Sequence, residues 1–176
     1  DGANRIEGQK HLREDMQSPD GRLRIKQTDM TAFEIGRNIA MTPGKVVFRN
    51  ETFELIQYAP TTEKVYKTPI LIIPPQINKF YAMDLTPMTS MVQFLLAMEQ
   101  QTFVISWRNP SKEHRGWGLS DYIDSLIQAS DVVRKITKSP KLNVSGACSG
   151  GITTATFASL LAAAGDKRIN ALTFMV

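Results

Sequence analysis

From about residue 70 onward, short apolar runs alternate with longer stretches whose apolar residues recur every three or four positions. "PILIIPP" (Pro69 to Pro75) is wholly apolar, β-branched and closed by two prolines, the pattern of a strand buried on both faces. "TFVISW", "LNVSG" and the final "INALTFMV" read the same way. Between them, "DLTPMTSMVQFLLAMEQ" predicts a helix that starts near Pro87 with Thr86 as its N-cap. Met88, Met91, Val92, Leu95, Leu96 and Met98 would form its apolar face. "SDYIDSLIQASDVVRKIT" is the clearest helix, with Ser120 as cap and Asp121 and Asp124 in the first turn. Arg134, Lys135 and Lys138 fall near its end, so both charge groups complement the helix dipole. Tyr122, Ile123, Leu126, Ile127, Val133 and Ile136 give it one apolar face. "GGITTATFASLLAAA" predicts a third helix. The order β-α-β-α-β-α-β predicts an α/β fold, a mostly parallel sheet with helices on both faces.

Upstream the pattern is weaker. Residues 1 to about 40 are polar with little periodicity, although "AFEIGRNIA" fits a short helix interrupted by Gly36. "TPGKVVFRN" predicts a turn at Pro43-Gly44 followed by a strand. "TFELIQYAP" alternates Phe53, Leu55, Gln57 against Glu54, Ile56, Tyr58, which predicts a second strand with two different faces. There is no internal repeat and no low-complexity segment.

Composition narrows the class without choosing a function. The 176 residues are 42% hydrophobic and 22% charged, which suits one globular domain. The net charge of +4 is scattered, and its densest stretch, "GRLRIK", lacks interleaved aromatics. A solvated face explains it better than nucleic-acid binding. No stretch approaches the ~18–20 apolar residues of a membrane span, and "DGANRIEGQK" has no apolar signal core. One cysteine excludes an internal disulfide and fits a reducing compartment. Two histidines and one cysteine are poor material for zinc. The chain begins with Asp and stops inside an apolar, strand-like run, so it reads as an internal piece of a longer protein.

That cysteine, Cys148, sits in "NVSGACSGGITT", between a predicted strand and a predicted helix. Gly146-Ala147-Cys148-Ser149-Gly150 has the nucleophile-elbow spacing, glycine two residues either side of the nucleophile. A sharp strand-to-helix turn strains the nucleophile's backbone and leaves no room for side chains at those two positions. It also aims the first N–H groups of the helix at the place where an oxyanion would form. A lone cysteine is more often a small buried hydrophobe, but the flanking strand and helix favour the nucleophile here. Further upstream, the loop "PPQINK" either ends a strand as a rigid turn or donates a second oxyanion N–H. Pro74 and Pro75 cannot donate; Gln76 and Ile77 can.

"NVSGACSGGITT", "LIIPPQINKFYAMDL", "FVISWRNPSKEHRGWGLSDYI" and "TPGKVVFRNETFELIQYAPTTEKV" together resemble polyhydroxyalkanoate synthases, bacterial enzymes that polymerise 3-hydroxyacyl-CoA into polyester. The Pro-Pro-Gln-Ile-Asn-Lys and Gly-Ala-Cys-Ser-Gly-Gly forms resemble the class II enzymes of pseudomonads, which prefer medium-length acyl chains. The resemblance implies an incomplete α/β-hydrolase fold. Residues 1–41 would end an N-terminal region, and 42–176 would form the N-terminal half of the catalytic domain. It implies Cys148 as nucleophile, with the backbone N–H groups of Ser149 and Ile77 as oxyanion hole. It implies no cofactor and no metal, 3-hydroxyacyl-CoA as substrate, a homodimeric parent, and a cytoplasmic location on polymer granules.

The family's catalytic Asp and His are expected beyond Val176. His11 and His114 precede Cys148 and match neither position, so both read as surface histidines, and Asp166 in "AGDKRI" reads as a turn residue. Ser145 stands where the family is expected to carry an apolar residue, and a buried hydroxyl there needs a partner. Trp107 and Trp117 read as loop anchors, and Arg108, Lys112 and Arg115 as solvated charges rather than phosphate contacts. Two other functions fit the same elbow. One is a different cysteine hydrolase or acyltransferase. The other is a catalytically dead, granule-associated protein.

Overall fold

The computed structural model of the chain describes all residues except 1, 18, 20, 26, 30, 78 and 176. It divides into two units, Asp1–Glu34 and Ile35–Val176. In the first, Ala3–Met16 forms helix α1, where the weak periodicity predicts no element. The helix buries none of its residues; even Ile6, Leu12 and Met16 are at least half exposed. Its Arg, Lys, Glu and Gln content supplies helix propensity without an apolar stripe.

The second unit is built on a six-stranded sheet. The strands are β1 (Gly44–Arg49), β2 (Phe53–Tyr58), β3 (Ile70–Ile73), β4 (Thr102–Trp107), β5 (Leu142–Ala147) and β6 (Ile169–Met175). Their spatial order is β1-β2-β4-β3-β5-β6. β1 and β2 form an antiparallel flank, and β2 joins β4 antiparallel. The β4-β3, β3-β5 and β5-β6 pairs are parallel. The sheet is therefore mostly parallel where the three β-α-β crossovers were expected. Helices α2 (Met91–Ala97), α3 (Leu119–Thr137) and α4 (Ser149–Ala163) supply the other layers.

Strands β3, β4 and β5 are largely buried because helices cover the sheet there and each face carries its own core. β6, expected to be buried as well, is an edge strand whose Leu172 and Phe174 are 40% and 51% exposed. Leu71, Ile73, Phe103, Ile105, Leu142 and Val144 pack with Leu126, Ala129 and Val133 of α3 and Phe157 and Leu161 of α4. Ile72 and Val104 point the other way, against Val92 and Leu96 of α2. Each fully buried aliphatic side chain contributes roughly 1.5–3 kcal/mol.

Three local expectations are corrected. "AFEIGRNIA" is a tight turn, not a helix: Gly36 sits at φ +83°, and its N–H donates to the Ile39 carbonyl at 2.7 Å. α2 starts later than Pro87, which lies in a short 3₁₀ turn; the N-cap is Ser90, whose hydroxyl accepts from the Gln93 N–H at 2.9 Å. Only Val92 and Leu96 of its predicted face are buried, and Met88 is 93% exposed. α3 is capped at Gly118, not Ser120; the Gly118 N–H donates to the Asp121 carboxylate at 2.7 Å. Asp124 lies beyond the first turn, and Ile136 is exposed rather than part of the apolar face.

Candidate active site

Because β3, β5 and β6 are parallel, their carboxyl ends meet at one edge of the sheet, where open α/β sheets bind ligands. Ile73 lies opposite Gly146, and Ala147 lies opposite Met175. The chain then turns sharply at Cys148, whose N–H donates to the Met175 carbonyl at 2.8 Å before α4 begins at Ser149. Cys148 sits at φ 49°, ψ −120°, backbone that a side-chain-bearing residue adopts at a cost of about 1–3 kcal/mol. Its thiol is free and exposed. A buried small hydrophobe would need neither the strain nor the exposure.

The two flanking glycines carry the turn by close approach. A Cβ on Gly146 would run into the Thr154 hydroxyl and lie 2.8 Å from the Gly150 carbonyl. A Cβ on Gly150 would run into the Ile73 carbonyl and lie 2.7 Å from that of Pro74. Gly150 thus lets α4 sit directly on the end of β3. Gly151 differs: a Cβ there meets only ordinary contacts, starting at 3.6 Å. Thr153 and Thr154 fold their hydroxyls back onto the Gly150 carbonyl at 3.0 and 2.7 Å.

The loop after β3 is held from two sides. Trp107, buried at the end of β4, donates its indole N–H to the Pro74 carbonyl at 2.8 Å. Gln76 accepts from the Ser149 hydroxyl at 2.8 Å and directs its amide nitrogen at the Thr153 hydroxyl at 3.4 Å. Ile77 follows on this loop with its side chain 85% exposed. The structure thus joins, through one side-chain hydrogen bond, the residue before Ile77 to the residue after Cys148. This bridge was not foreseen in the sequence, where Gln76 counts only as a possible backbone donor.

Among the described residues, no side chain hydrogen-bonds the Cys148 thiol. His11 is exposed on α1 and pairs with Glu7 at 3.5 Å. His114 accepts from the Ser111 N–H at 3.0 Å through Nδ1, and its ring lies 4.2 Å from that of Trp117. Asp166 accepts from the Arg168 backbone and guanidinium, which hold its carboxyl below its usual range. Ser145 is buried on β5. Trp107 and Trp117 both pack edge-on against Tyr122 of α3, as loop anchors do. Arg108 donates to the Glu51 carbonyl at 3.2 Å; Lys112 and Arg115 are exposed. No described group of three or more His, Cys, Asp or Glu could hold a metal ion, and no described helix is long and apolar enough to cross a membrane.

A second polar cluster was missed altogether. Asp84 is only 2% exposed and accepts from the Thr42 hydroxyl, the Thr42 N–H and the Ser90 hydroxyl at 2.6, 3.2 and 2.6 Å. Burial, and secondarily the charge of Asp84, push the Tyr58 phenol well above its usual range. This cluster ties the Thr42 segment to the cap of α2.

Comparison with known proteins bears on the family and the fold. Residues 1–95 match the family described as "Poly-beta-hydroxybutyrate polymerase (PhaC) N-terminus". The chain is 49% identical over 175 residues to "Poly(3-hydroxyalkanoate) polymerase 1" of Ectopseudomonas oleovorans, covering 99% of this chain and 31% of that protein. It is 45% identical over 176 residues to polymerase 2 of the same organism, again covering 99% of this chain and 31% of the relative. It thus spans about three tenths of the length of these curated relatives. Among solved structures, epoxide hydrolase A from Mycobacterium thermoresistibile superposes with a TM-score of 0.53 at 13% identity, over 76% of this chain and 38% of that one. That likeness concerns the fold alone, which is the α/β-hydrolase fold in incomplete form.

Proposed function

The chain belongs to the poly-β-hydroxybutyrate polymerase family, and from that premise we propose that it carries the nucleophile of a cysteine-dependent poly(3-hydroxyalkanoate) polymerase. The observation that carries this reading is the strained, exposed Cys148 between two glycines that admit no side chain. The Cys148 thiol gives its proton to a general base, and Sγ adds to the thioester carbonyl of 3-hydroxyacyl-CoA. The carbonyl electron pair moves onto oxygen, where the N–H groups of Ser149 and Ile77 receive it. The intermediate collapses, the carbon–sulfur bond to coenzyme A breaks, and the leaving thiolate takes up a proton. One thioester has replaced another, so the exchange is nearly balanced.

The 3-hydroxyl of another acyl unit then attacks the acyl-cysteine. An ester bond forms, the bond to Sγ breaks, and the hydroxyl proton passes to a general base. Both histidines of this chain are engaged elsewhere, and the relatives are about three times as long. The family resemblance implies that this base is a histidine, oriented by an aspartate, in the part of the polymerase beyond Val176, and on that reading this chain by itself is expected to be inactive. A class II preference for medium-length acyl groups, a homodimeric parent, a cytoplasmic location on polymer granules and independence of metals and cofactors belong to the same reading.

The test is coenzyme A release by the full-length polymerase supplied with a 3-hydroxyacyl-CoA. Cys148→Ala should abolish release, and the wild-type product should be an oligoester. Free hydroxy acid as product would make the protein a hydrolase. Undiminished release by Cys148→Ala would remove the thiol from the chemistry.

A further inference from the structure

We propose that Gln76 is a positioning residue, which holds the two halves of the oxyanion hole at a fixed separation by bridging the loop after β3 to the first turn of α4. The inference rests on the reading of Cys148 as an acyl-accepting nucleophile. One N–H of the hole belongs to a helix N-terminus, where the fold leaves it without an intrahelical acceptor. The other belongs to Ile77, on a loop that follows two prolines. Proline donates no hydrogen bond, so Pro74 and Pro75 cannot tie that loop down through their own backbone nitrogens. Ile77 cannot tie it down through packing either, since its side chain is 85% exposed.

What does tie it down is on its inner side. Upstream, the Pro74 carbonyl is fixed by the Trp107 indole and by the close approach of Gly150. Downstream, the Gln76–Ser149 hydrogen bond at 2.8 Å is made by the two residues immediately adjoining Ile77 and Cys148. The Gln76 amide nitrogen reaches a second point on the same helix, Thr153, at 3.4 Å. The Thr153 hydroxyl is in turn fixed on the Gly150 carbonyl at 3.0 Å. Loop and helix are therefore joined by a chain of side-chain hydrogen bonds made by residues that adjoin Ile77 and Cys148 in the chain.

Such a hole works only when its donors are held within about 0.5 Å of the productive geometry. A single oxyanion donor is worth about 10²–10³ in kcat. Loosening one donor, rather than deleting it, should lose a part of that. Gln76→Met keeps the unbranched shape and removes both polar atoms; Ser149→Ala removes the other partner and keeps the backbone N–H. In the full-length polymerase each should lower kcat for coenzyme A release about tenfold, with KM little changed. The double variant should be no worse than Gln76→Met alone, because Ser149→Ala breaks a bond which that variant has already removed. Alkylation of Cys148 by iodoacetamide, followed at that residue by mass spectrometry, should stay within about twofold of wild type, because no oxyanion forms in that reaction.

Wild-type kcat in Gln76→Met, or losses that multiply in the double variant, would overturn the inference. If Gln76→Met does not fold, Ser149→Ala decides alone, by the same kcat loss at unchanged KM and alkylation rate. A parallel slowing of alkylation and release would indicate a general disturbance of the elbow and would also overturn it. Cys148→Ala in the same assay separates the two levels. If it is inactive while Gln76→Met is normal, only the bridge is wrong; if it is active, the nucleophile reading has failed and the bridge with it.

Discussion

The indole N–H of Trp107 donates to the Pro74 carbonyl at 2.8 Å, so the end of β4 holds the loop that leaves β3. Trp107 is buried, and its ring also meets Phe53 and Tyr122 at centroid distances of 6.1 and 5.2 Å. Trp107→Phe retains most of this apolar contact and leaves the carbonyl without its partner. The expected cost is about 1–3 kcal/mol of stability. Because the held loop carries Gln76 and Ile77, coenzyme A release should fall as well. Urea unfolding of the full-length polymerase alongside the release assay checks both, and an unchanged midpoint would show that the indole bond is not a fastener.

The glycines of the elbow should respond very differently to one added methyl group. Gly150→Ala drives a Cβ into the carbonyls of Ile73 and Pro74, both backbone atoms that cannot swing away. Overpacking of this kind costs about 1–3 kcal/mol or more, and it would separate α4 from β3. Gly151→Ala meets nothing closer than 3.6 Å and lies within α4. Alanine is the better helix former by about 1 kcal/mol, so this variant should be neutral or slightly more stable. Thermal unfolding of the pair provides the comparison; equal tolerance at the two positions would contradict the packing described here.

What could be read from the sequence was whatever depends on neighbours along the chain. β3 and β4 announced themselves as apolar runs because both faces of the sheet are covered there, as Leu71 and Ile72 pointing into opposite cores illustrate, whereas β6 carries a similar run on an exposed edge. The elbow was legible because a strained turn demands glycine at two fixed offsets from Cys148. What escaped depends on residues distant in sequence or on geometry without a pattern. Gln76 meets Ser149 across 73 positions and Thr42 meets Asp84 across 42, and neither pair leaves a periodic trace. The cap of α3 was misplaced because Asp121 reaches back to the Gly118 N–H, so the cap is made by a side chain inside the helix. α1 escaped because a helix that buries nothing needs no apolar stripe.

The turn between α4 and β6 should make stability depend on acid. Arg168 donates to Asp166 through Nε and Nη2 at 2.8 and 2.6 Å, and through Nη1 to Asp131 at 2.7 Å. The Arg168 hydrogen bonds hold the Asp166 carboxyl below its ordinary value of 3.8. A carboxyl depressed in the folded state contributes stability above its unfolded value and loses it as pH falls through its folded value. Wild type should therefore exceed Asp166→Asn in unfolding free energy at neutral pH. The gap should hold down to about pH 5 and close as the pH drops below the ordinary carboxylate value. A gap that is constant from neutral pH down to about pH 3 would mean that the carboxylate charge is not what Arg168 holds.

Asp84 gives the sharpest stability prediction, because its carboxylate is 2% exposed and is held by hydroxyl and backbone N–H donors. Its charge is satisfied by three donors instead, two from Thr42 and one from Ser90, and its own carbonyl accepts from the Ala40 N–H at 2.8 Å. Gln93 extends the cluster by donating to the Thr42 hydroxyl at 3.1 Å. Asp84→Ala would leave those three donors buried without their acceptor. Hydrogen bonds to charged groups are worth about 1.5–3 kcal/mol each, and these three share one acceptor group, so the loss should be at least about 3 kcal/mol. Asp84→Asn keeps one side-chain oxygen and should cost clearly less. Ser90→Ala removes a single donor, yet it also uncaps α2 at the Gln93 N–H, so it should cost about 1–2 kcal/mol. The order Asp84→Ala, then Asp84→Asn, in decreasing damage is read from chemical denaturation of the full-length polymerase. If Asp84→Ala were the milder of the two, burial of the carboxylate would itself be the dominant cost, and the cluster would be a burden on the fold instead of its fastener.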